Sequence, residues 1–177
     1  MQESEFQEPS KGMRMRNRDI KLTSVAFVAV VIVQGAHMVE HVAQVIQKFL
    51  LGFSQAHGLL GAAFDFEWVH FLYNTALEAA LIFILLWCRR ATGHPASPAL
   101  QVVVWLQGYH VVEHVVKMYQ YYVLGVPSGA TKGILGFVLP VIWVHFWLNL
   151  IVLALIVLAR YAYGRMLRQQ VSPVGVG

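Results

Sequence analysis

The sequence predicts an all-α integral membrane protein: a bundle of four transmembrane helices built from two tandem two-helix repeats. Three observations predict this fold class. The 177-residue chain is 58% hydrophobic and only 12% charged, with a mean hydropathy of +0.58, and this is about half the charged fraction of a typical soluble domain. The few charges are clustered between long apolar runs. The second half of the chain also repeats the polar residues of the first half in the same order.

Four apolar runs are long enough to cross a bilayer, which takes about 20 residues in a helix. They cover residues 22–51, 63–87, 99–124 and 134–159. The chain then divides into a cytoplasmic tail (1–21), a first repeat (22–88), a second repeat (98–160) and a second cytoplasmic tail (161–177). The first tail is acidic and then basic, with few apolar groups, so we expect it to be disordered.

The basic residues predict the orientation of these spans. Ten of the 13 lysines and arginines lie before the first span, between the second and third spans, or after the fourth. The positive-inside rule therefore puts both termini and the Arg89–Arg90 pair in the cytoplasm of a cell whose plasma membrane holds the protein. Since these cations flank spans, the net charge of +4 is no indication of nucleic-acid binding. The single Cys88 excludes an intramolecular disulfide and a cysteine-based metal cluster.

An internal repeat is the most informative feature of the sequence. Residues 34–52 align with residues 107–125 at an offset of 73, and both segments contain the string HxxEH. After a change of two residues in loop length, the match resumes at an offset of 75, where GLLG (58–61) pairs with GILG (133–136) and WVHF (68–71) with WVHF (143–146). Each repeat contains two spans, so both enter the membrane in the same direction and a pseudo-twofold axis along the membrane normal relates them.

The repeated polar residues are candidate metal ligands. A charged side chain at mid-bilayer costs about 2.5–3.5 kcal/mol even on lenient insertion scales, so this set needs strong partners. Histidines at positions i and i+4 form a two-nitrogen clamp on one helix face, and a third histidine from the neighbouring helix completes three nitrogen ligands per repeat. The predicted ligands are His37, Glu40, His41, His70, His110, Glu113, His114 and His145.

Two further roles follow from this set. Glu40 and Glu113 are the candidate catalytic residues, because carboxylates beside such clamps can bridge two ions or move protons. The repeated amides suit hydrogen bonds that hold the imidazole rings in place. These amides are Gln34, Asn74, Gln107 and Asn149.

The predicted function is that of a metal-dependent membrane oxidoreductase acting on a small or lipid-soluble substrate. In residue type and membrane setting the cluster resembles the sites of integral-membrane di-iron desaturases and hydroxylases, although the HxxHH boxes of those families are absent. The ligand types themselves predict one dinuclear or two symmetric sites for transition-metal ions, of iron, copper or zinc. Such an enzyme needs a redox partner or a place in a larger membrane complex, because no electron-transfer domain is recognisable.

Several alternatives stay open at this point. Haem b is one, although two histidines on one helical turn cannot be opposite axial ligands of one haem. A metal-binding subunit of a larger complex and a protein that transports protons or metal ions are others. HxxEH also matches the inverzincin metalloprotease motif. Three unrepeated residues lie near the predicted outer mouth: His57, Asp65 and Glu67. They are either interfacial polar groups or attract cations, and in the second case Glu67 would add a ligand on one side only.

Overall fold

A computed structural model of the protein describes residues 11–59 and 66–171. Within these ranges the chain forms four long helices: α1 (Lys11–Phe49), α2 (Phe66–Thr92), α3 (Pro98–Tyr122) and α4 (Val141–Val171). Two short 3₁₀ turns, Ser128–Ala130 and Leu135–Phe137, lie between α3 and α4. The described part of the chain contains no β-strand, so the predicted all-α class is confirmed.

The four helices pack as a ring into a helical bundle. Helix α1 contacts α2 and α4, and α3 contacts the same two helices from the other side. The α1–α2 and α3–α4 connections lie at one end of the bundle, where residues of both line a common cavity. We call this the hairpin end; the α2–α3 connection lies at the opposite end. Consecutive helices are therefore antiparallel, as short connections favour.

Three of the four helices are long and apolar enough to cross a membrane: the segments Asn17–Leu50, Glu67–Thr92 and Val141–Gln169. Helix α3 is 25 residues long but is not among them. Its buried face explains the difference, because that face is polar from Gln107 onwards and lowers the hydropathy of the helix. The buried residues of α3 are Leu100, Val103, Gln107, His110, Glu113, His114, Lys117 and Gln120.

Apolar side chains cover the outside of the bundle. Val25 and Ile32 are each 65% exposed and Trp105 is 82% exposed. The interior, by contrast, changes character along its length. Near the opposite end it is a hydrophobic core that includes Phe27 and Leu81, and towards the hairpin end it becomes a layer of buried polar residues. An apolar exterior that keeps polar residues inside is what a bilayer requires of a protein that crosses it.

Both terminal helices are longer than the sequence predicts. Helix α1 begins at Lys11, so residues 11–21 are helical where the sequence indicated a disordered tail. Lysine, arginine and methionine are frequent in this stretch, and all three are good helix formers. Helix α4 likewise continues to Val171, into the predicted second tail. The predictions for residues 1–10 and 172–177 lie outside the described residues.

The connections at the hairpin end use repeated glycines. Gly52 and Gly125 follow α1 and α3 with φ angles of 69° and 67°, the left-handed conformation that commonly ends a helix. Helix α4 starts at Val141 rather than at the predicted residue 134. Residues 134–140 are instead a loop that ends at Pro140, and the Pro140 carbonyl accepts the first hydrogen bonds of α4, from the Trp143 and Val144 N–H groups.

Candidate metal centre

Six histidines from all four helices meet inside the polar half of the bundle. They form two groups, and in each group one ring nitrogen per residue lies within 4.8 Å of the others. Each group joins the HxxEH histidines of one repeat to the histidine of that repeat's second helix, as the spacing predicts. The first group is His37, His41 and His70, and the second is His110, His114 and His145.

The two groups contact one another. The ring centroids of His70 and His114 are 5.8 Å apart, and those of His41 and His145 are 6.2 Å apart. Within the second group the His114 and His145 rings stack at 5.1 Å. The six imidazoles therefore form one continuous cluster, although the chain carries them on four separate helices.

Hydrogen bonds fix the His41 ring of the first group. Its Nδ1 lies 2.9 Å from Gln44 Oε1, and because a carbonyl oxygen can only accept, Nδ1 carries the proton. The lone pair is then on Nε2, which accepts a 2.9 Å hydrogen bond from Asn149 Nδ2. His37 Nε2 lies 3.0 Å from this His41 Nε2 atom. Of the two His41 ring nitrogens, Nε2, which faces the cluster, therefore carries the lone pair.

In the second group, His110 and His114 differ from His41. Both ring nitrogens of His110 and of His114 are buried, and none of the four makes a hydrogen bond to the residues that the structure describes. Leaving a buried polar atom unpaired costs about 1–3 kcal/mol. Ligation of a metal ion by one nitrogen of each ring would satisfy part of this set, and imidazole suits iron, copper and zinc. The residues therefore fit a transition metal.

The four predicted amides link the repeats to one another. Gln34 Nε2 on α1 donates to Asn149 Oδ1 on α4 at 3.0 Å, and Gln107 Nε2 on α3 donates to Asn74 Oδ1 on α2 at 2.9 Å. Each asparagine also donates to the backbone carbonyl of a cluster histidine four residues earlier, His70 or His145. The glutamine of each repeat is thus bound to the asparagine of the other, beside the histidines.

The structure does not bring Glu40 and Glu113 into either histidine group. Both carboxylates instead accept hydrogen bonds from loop backbone at the hairpin end. Glu40 Oε2 accepts from the Leu59 N–H at 2.9 Å, and Glu113 accepts from the N–H groups of Ile134 and Leu135 at 2.6 and 2.9 Å. Their assignment as metal ligands and catalytic residues stays a prediction, whereas their contact with the loops is a finding.

Two further repeated residues hold the same loops. Gln47 exchanges two hydrogen bonds of 2.8 Å with the Gly58 backbone, and Gln120 contacts the Gly133 backbone in the same way at 3.2 and 3.3 Å. Gly58 and Gly133 both have positive φ angles, 74° and 68°. The repeated glutamate, glutamine and first glycine of GxLG therefore form one loop clamp, made twice. Gln47 and Gln120 occupy equivalent positions in the two repeats, and this loop contact accounts for their repetition.

A cavity of about 890 Å³ leads from the hairpin end to the cluster, and His145 is one of its lining residues. Glu67 and Lys117 also line it. They form a buried ion pair with a distance of 2.9 Å, and the Thr131 hydroxyl donates to the same Glu67 oxygen at 2.9 Å. His57 lies at the exposed mouth, whereas Asp65 is outside the described residues. Glu67 thus belongs to an ion pair in the cavity and is not part of either histidine group.

Sequence analysis missed the importance of Gln44 and Lys117. These two residues occupy equivalent positions in the repeats, three residues after the last histidine of each HxxEH string. The signal was the mismatch itself, a neutral amide in one repeat and a cation in the other. Gln44 bonds the His41 ring, whereas Lys117 forms an ion pair with Glu67. The mismatch therefore gives the two equivalent positions different partners.

Comparison of the chain with protein-family models, with curated proteins and with solved structures gives no match. The interpretation of the cluster therefore depends on its own residues and geometry.

Proposed function

We propose that this protein is an integral membrane metalloprotein of oxidoreductase type, in which the six clustered histidines hold one or two transition-metal ions. The observation that carries the proposal is the convergence of two equivalent groups of three histidines in the interior of an apolar-surfaced bundle. A purely structural role explains this poorly, because the four ring nitrogens of His110 and His114 gain no hydrogen bond from their burial.

The membrane arrangement is part of the proposal. All four helices would cross the bilayer of the plasma membrane, with α3 shielded by its neighbours so that its polar face never meets lipid. The two repeats would enter in the same direction, related by a pseudo-twofold axis along the membrane normal, with both termini in the cytoplasm. The symmetric exchange of Gln–Asn hydrogen bonds between the repeats supports this relationship.

The ligand chemistry favours iron, copper or zinc. Imidazole nitrogens suit these ions, whereas Mg²⁺ and Ca²⁺ prefer oxygen ligands. A bound iron or copper ion would supply one-electron exchange between its two common oxidation states, with a separate redox partner as the source or acceptor of the electron. The chain's own residues would fix the rings, exclude water from the opposite end and admit a small or lipid-soluble substrate.

Two features favour this function over its rivals. The cavity reaches the cluster from the hairpin end, whereas a hydrophobic core fills the described part of the bundle towards the opposite end, which disfavours ion conduction through the bundle. The histidine rings also contact one another with centroid distances of 4.6 to 6.2 Å. Rings this close leave no space for a porphyrin between them, which disfavours haem.

Elemental analysis and an absorption spectrum of the purified, detergent-solubilised protein test the proposal. We expect one or two iron, copper or zinc ions per chain and no Soret band. His114→Ala should lower the metal content, whereas the matched control His94→Ala should not, because His94 is exposed and bonds the Thr92 hydroxyl through its own backbone atoms. A Soret band would replace the proposal with haem binding, and a protein that holds no metal under any loading condition would overturn it.

A further inference from the structure

The two halves of the cluster differ at one equivalent pair of residues. In the first repeat Gln44 accepts a hydrogen bond from His41 Nδ1. In the second repeat the corresponding residue is Lys117, whose Nζ pairs with Glu67 on α2. His114, the counterpart of His41, consequently lacks the hydrogen bond that orients the ring in the first repeat. The sequence symmetry is therefore broken at the position that controls the ligand ring.

The cavity makes the same distinction between the halves. His145 of the second group lines it, and among the described lining residues none belongs to the first group. The neighbours of His145 at the cavity include Trp143, Thr131 and the ion pair. A water-soluble molecule that enters from the hairpin end therefore meets the second group first.

The charge of the cavity indicates which class of molecule is favoured. The charged residues among its described lining are Lys48, Lys117 and Glu67, two cations and one anion, for a formal charge of +1. A metal ion held by the second group would add further positive charge at the inner end of the cavity. A net positive charge in a cleft of low dielectric raises the local concentration of anions, so a small anion is the favoured ligand.

We propose that the second histidine group is the ligand-binding half of the centre. Through the cavity at the hairpin end it takes a small inorganic anion, or a substrate that binds as an anion, and Lys117 positions this anion. The first group, in which Gln44 and Asn149 bond both ring nitrogens of His41, is the closed half. This inference rests on the proposed metal centre. Lys117 acts here as a positioning residue, and no bond to it is made or broken.

Azide binding to cobalt(II)-exchanged protein tests the inference, because the visible absorption of cobalt(II) changes when an anion joins its ligands. We expect azide to shift the spectrum of the wild type and of His37→Ala, which alters the closed half, but not that of His110→Ala. The double variant Lys117→Gln/Glu67→Gln removes the ion pair without leaving one charge buried alone. The formal charge of the cavity stays at +1, so the expected weakening of azide binding, by at least about tenfold, reports the loss of the Lys117 ammonium as a donor to the anion.

Two controls separate charge and access from folding. Lys132→Gln removes a cation outside the cavity lining and should leave azide affinity unchanged. Gly129→Trp places a bulky group in the cavity, where a Cβ atom at Gly129 meets no atom within 4 Å, and should weaken azide binding without lowering metal content.

Metal content, measured first, separates the two levels of inference. A protein that binds no metal overturns the proposed function together with this one. A metal-loaded protein whose spectrum ignores azide, or whose azide affinity is the same in the double variant as in Lys132→Gln, overturns the ligand site alone.

Discussion

The Gln34 side chain on α1 donates a 3.0 Å hydrogen bond to the Asn149 side chain on α4, so the first and last helices are tied together beside the histidine cluster. Both residues are fully buried. The same bond joins Gln107 to Asn74 in the other half. These pairs connect the two repeats where the polar interior is densest.

A double-mutant cycle on Gln34→Ala and Asn149→Ala should reveal this bond. Hydrogen bonds between transmembrane helices average about 0.6 kcal/mol in such cycles, with maxima near about 1.7 kcal/mol, and we expect a coupling energy in that range. The free energy of unfolding in mixed micelles supplies the measurement. The cycle of Gln34→Ala with Asn74→Ala is the matched control, since the structure pairs Asn74 with Gln107, and its coupling should be near zero.

Replacement of Gln44 by leucine should loosen metal binding. Its carbonyl oxygen holds His41 in one tautomer, and loss of such a partner typically lowers metal affinity about 10–100-fold. Competition with a chromophoric chelator measures the affinity. Gln101→Leu is a suitable control, because Gln101 is exposed and bonds only to the Ala96 carbonyl at 2.8 Å. Equal affinities of the two variants would contradict the assignment of Gln44.

Alanine at Gly58 or Gly133 should destabilise the hairpin end. Both glycines have positive φ angles, which cost about 1–2 kcal/mol for a residue with a side chain. An added Cβ would also overlap the Glu40 or Glu113 carboxylate. We expect a loss of at least about 1 kcal/mol in the free energy of unfolding. Gly129→Ala, with open space around it and no positive φ, should be close to neutral.

Replacing Glu113 with glutamine distinguishes a loop clamp from a metal ligand. The carboxylate accepts two backbone N–H bonds and the Tyr109 hydroxyl, and charge-assisted bonds of this kind are about twice as strong as neutral ones. Glu113→Gln should therefore lower the unfolding free energy while the metal content is retained. A loss of metal as large as that of His114→Ala would instead make Glu113 a ligand, as the sequence alone suggested.

Cysteine labelling should report the four-span topology. Cys88 is buried, with 2% exposure, and can be replaced by alanine to give a cysteine-free background. A membrane-impermeant maleimide added to intact cells should label Gln55→Cys and Lys132→Cys at the hairpin end, and label His94→Cys only after permeabilisation. Labelling of all three sites from outside would contradict the arrangement.

Much of the site was predictable because its determinants are local. The spacing of His37 and His41 puts them on one helix face in any α-helix, and the same holds for His110 and His114. The repeat then required that His70 and His145 take equivalent places. The sequence shows only that Gly52 and Gly125 are repeated. Their role in ending helices follows from their backbone angles.

Other features could not be predicted because they depend on contacts between distant segments. Whether Glu40 faces the cluster or the loop depends on how residues 52–59 fold back over α1, and no periodicity records that path. The bond between Gln34 and Asn149 depends on the rotation of α4 against α1. The start of α4 at Val141 depends on a loop whose N–H groups are held by Glu113 on another helix.

The sequence by itself determined the long apolar helices, the duplicated polar residues and the grouping of three histidines per repeat, because hydropathy and helical period are properties of neighbouring residues. Only the tertiary structure decided that the two groups contact each other, that the glutamates clamp the loops and that the cavity reaches the second group alone among the described residues. Those outcomes depend on how four helices are rotated and how their connections are closed.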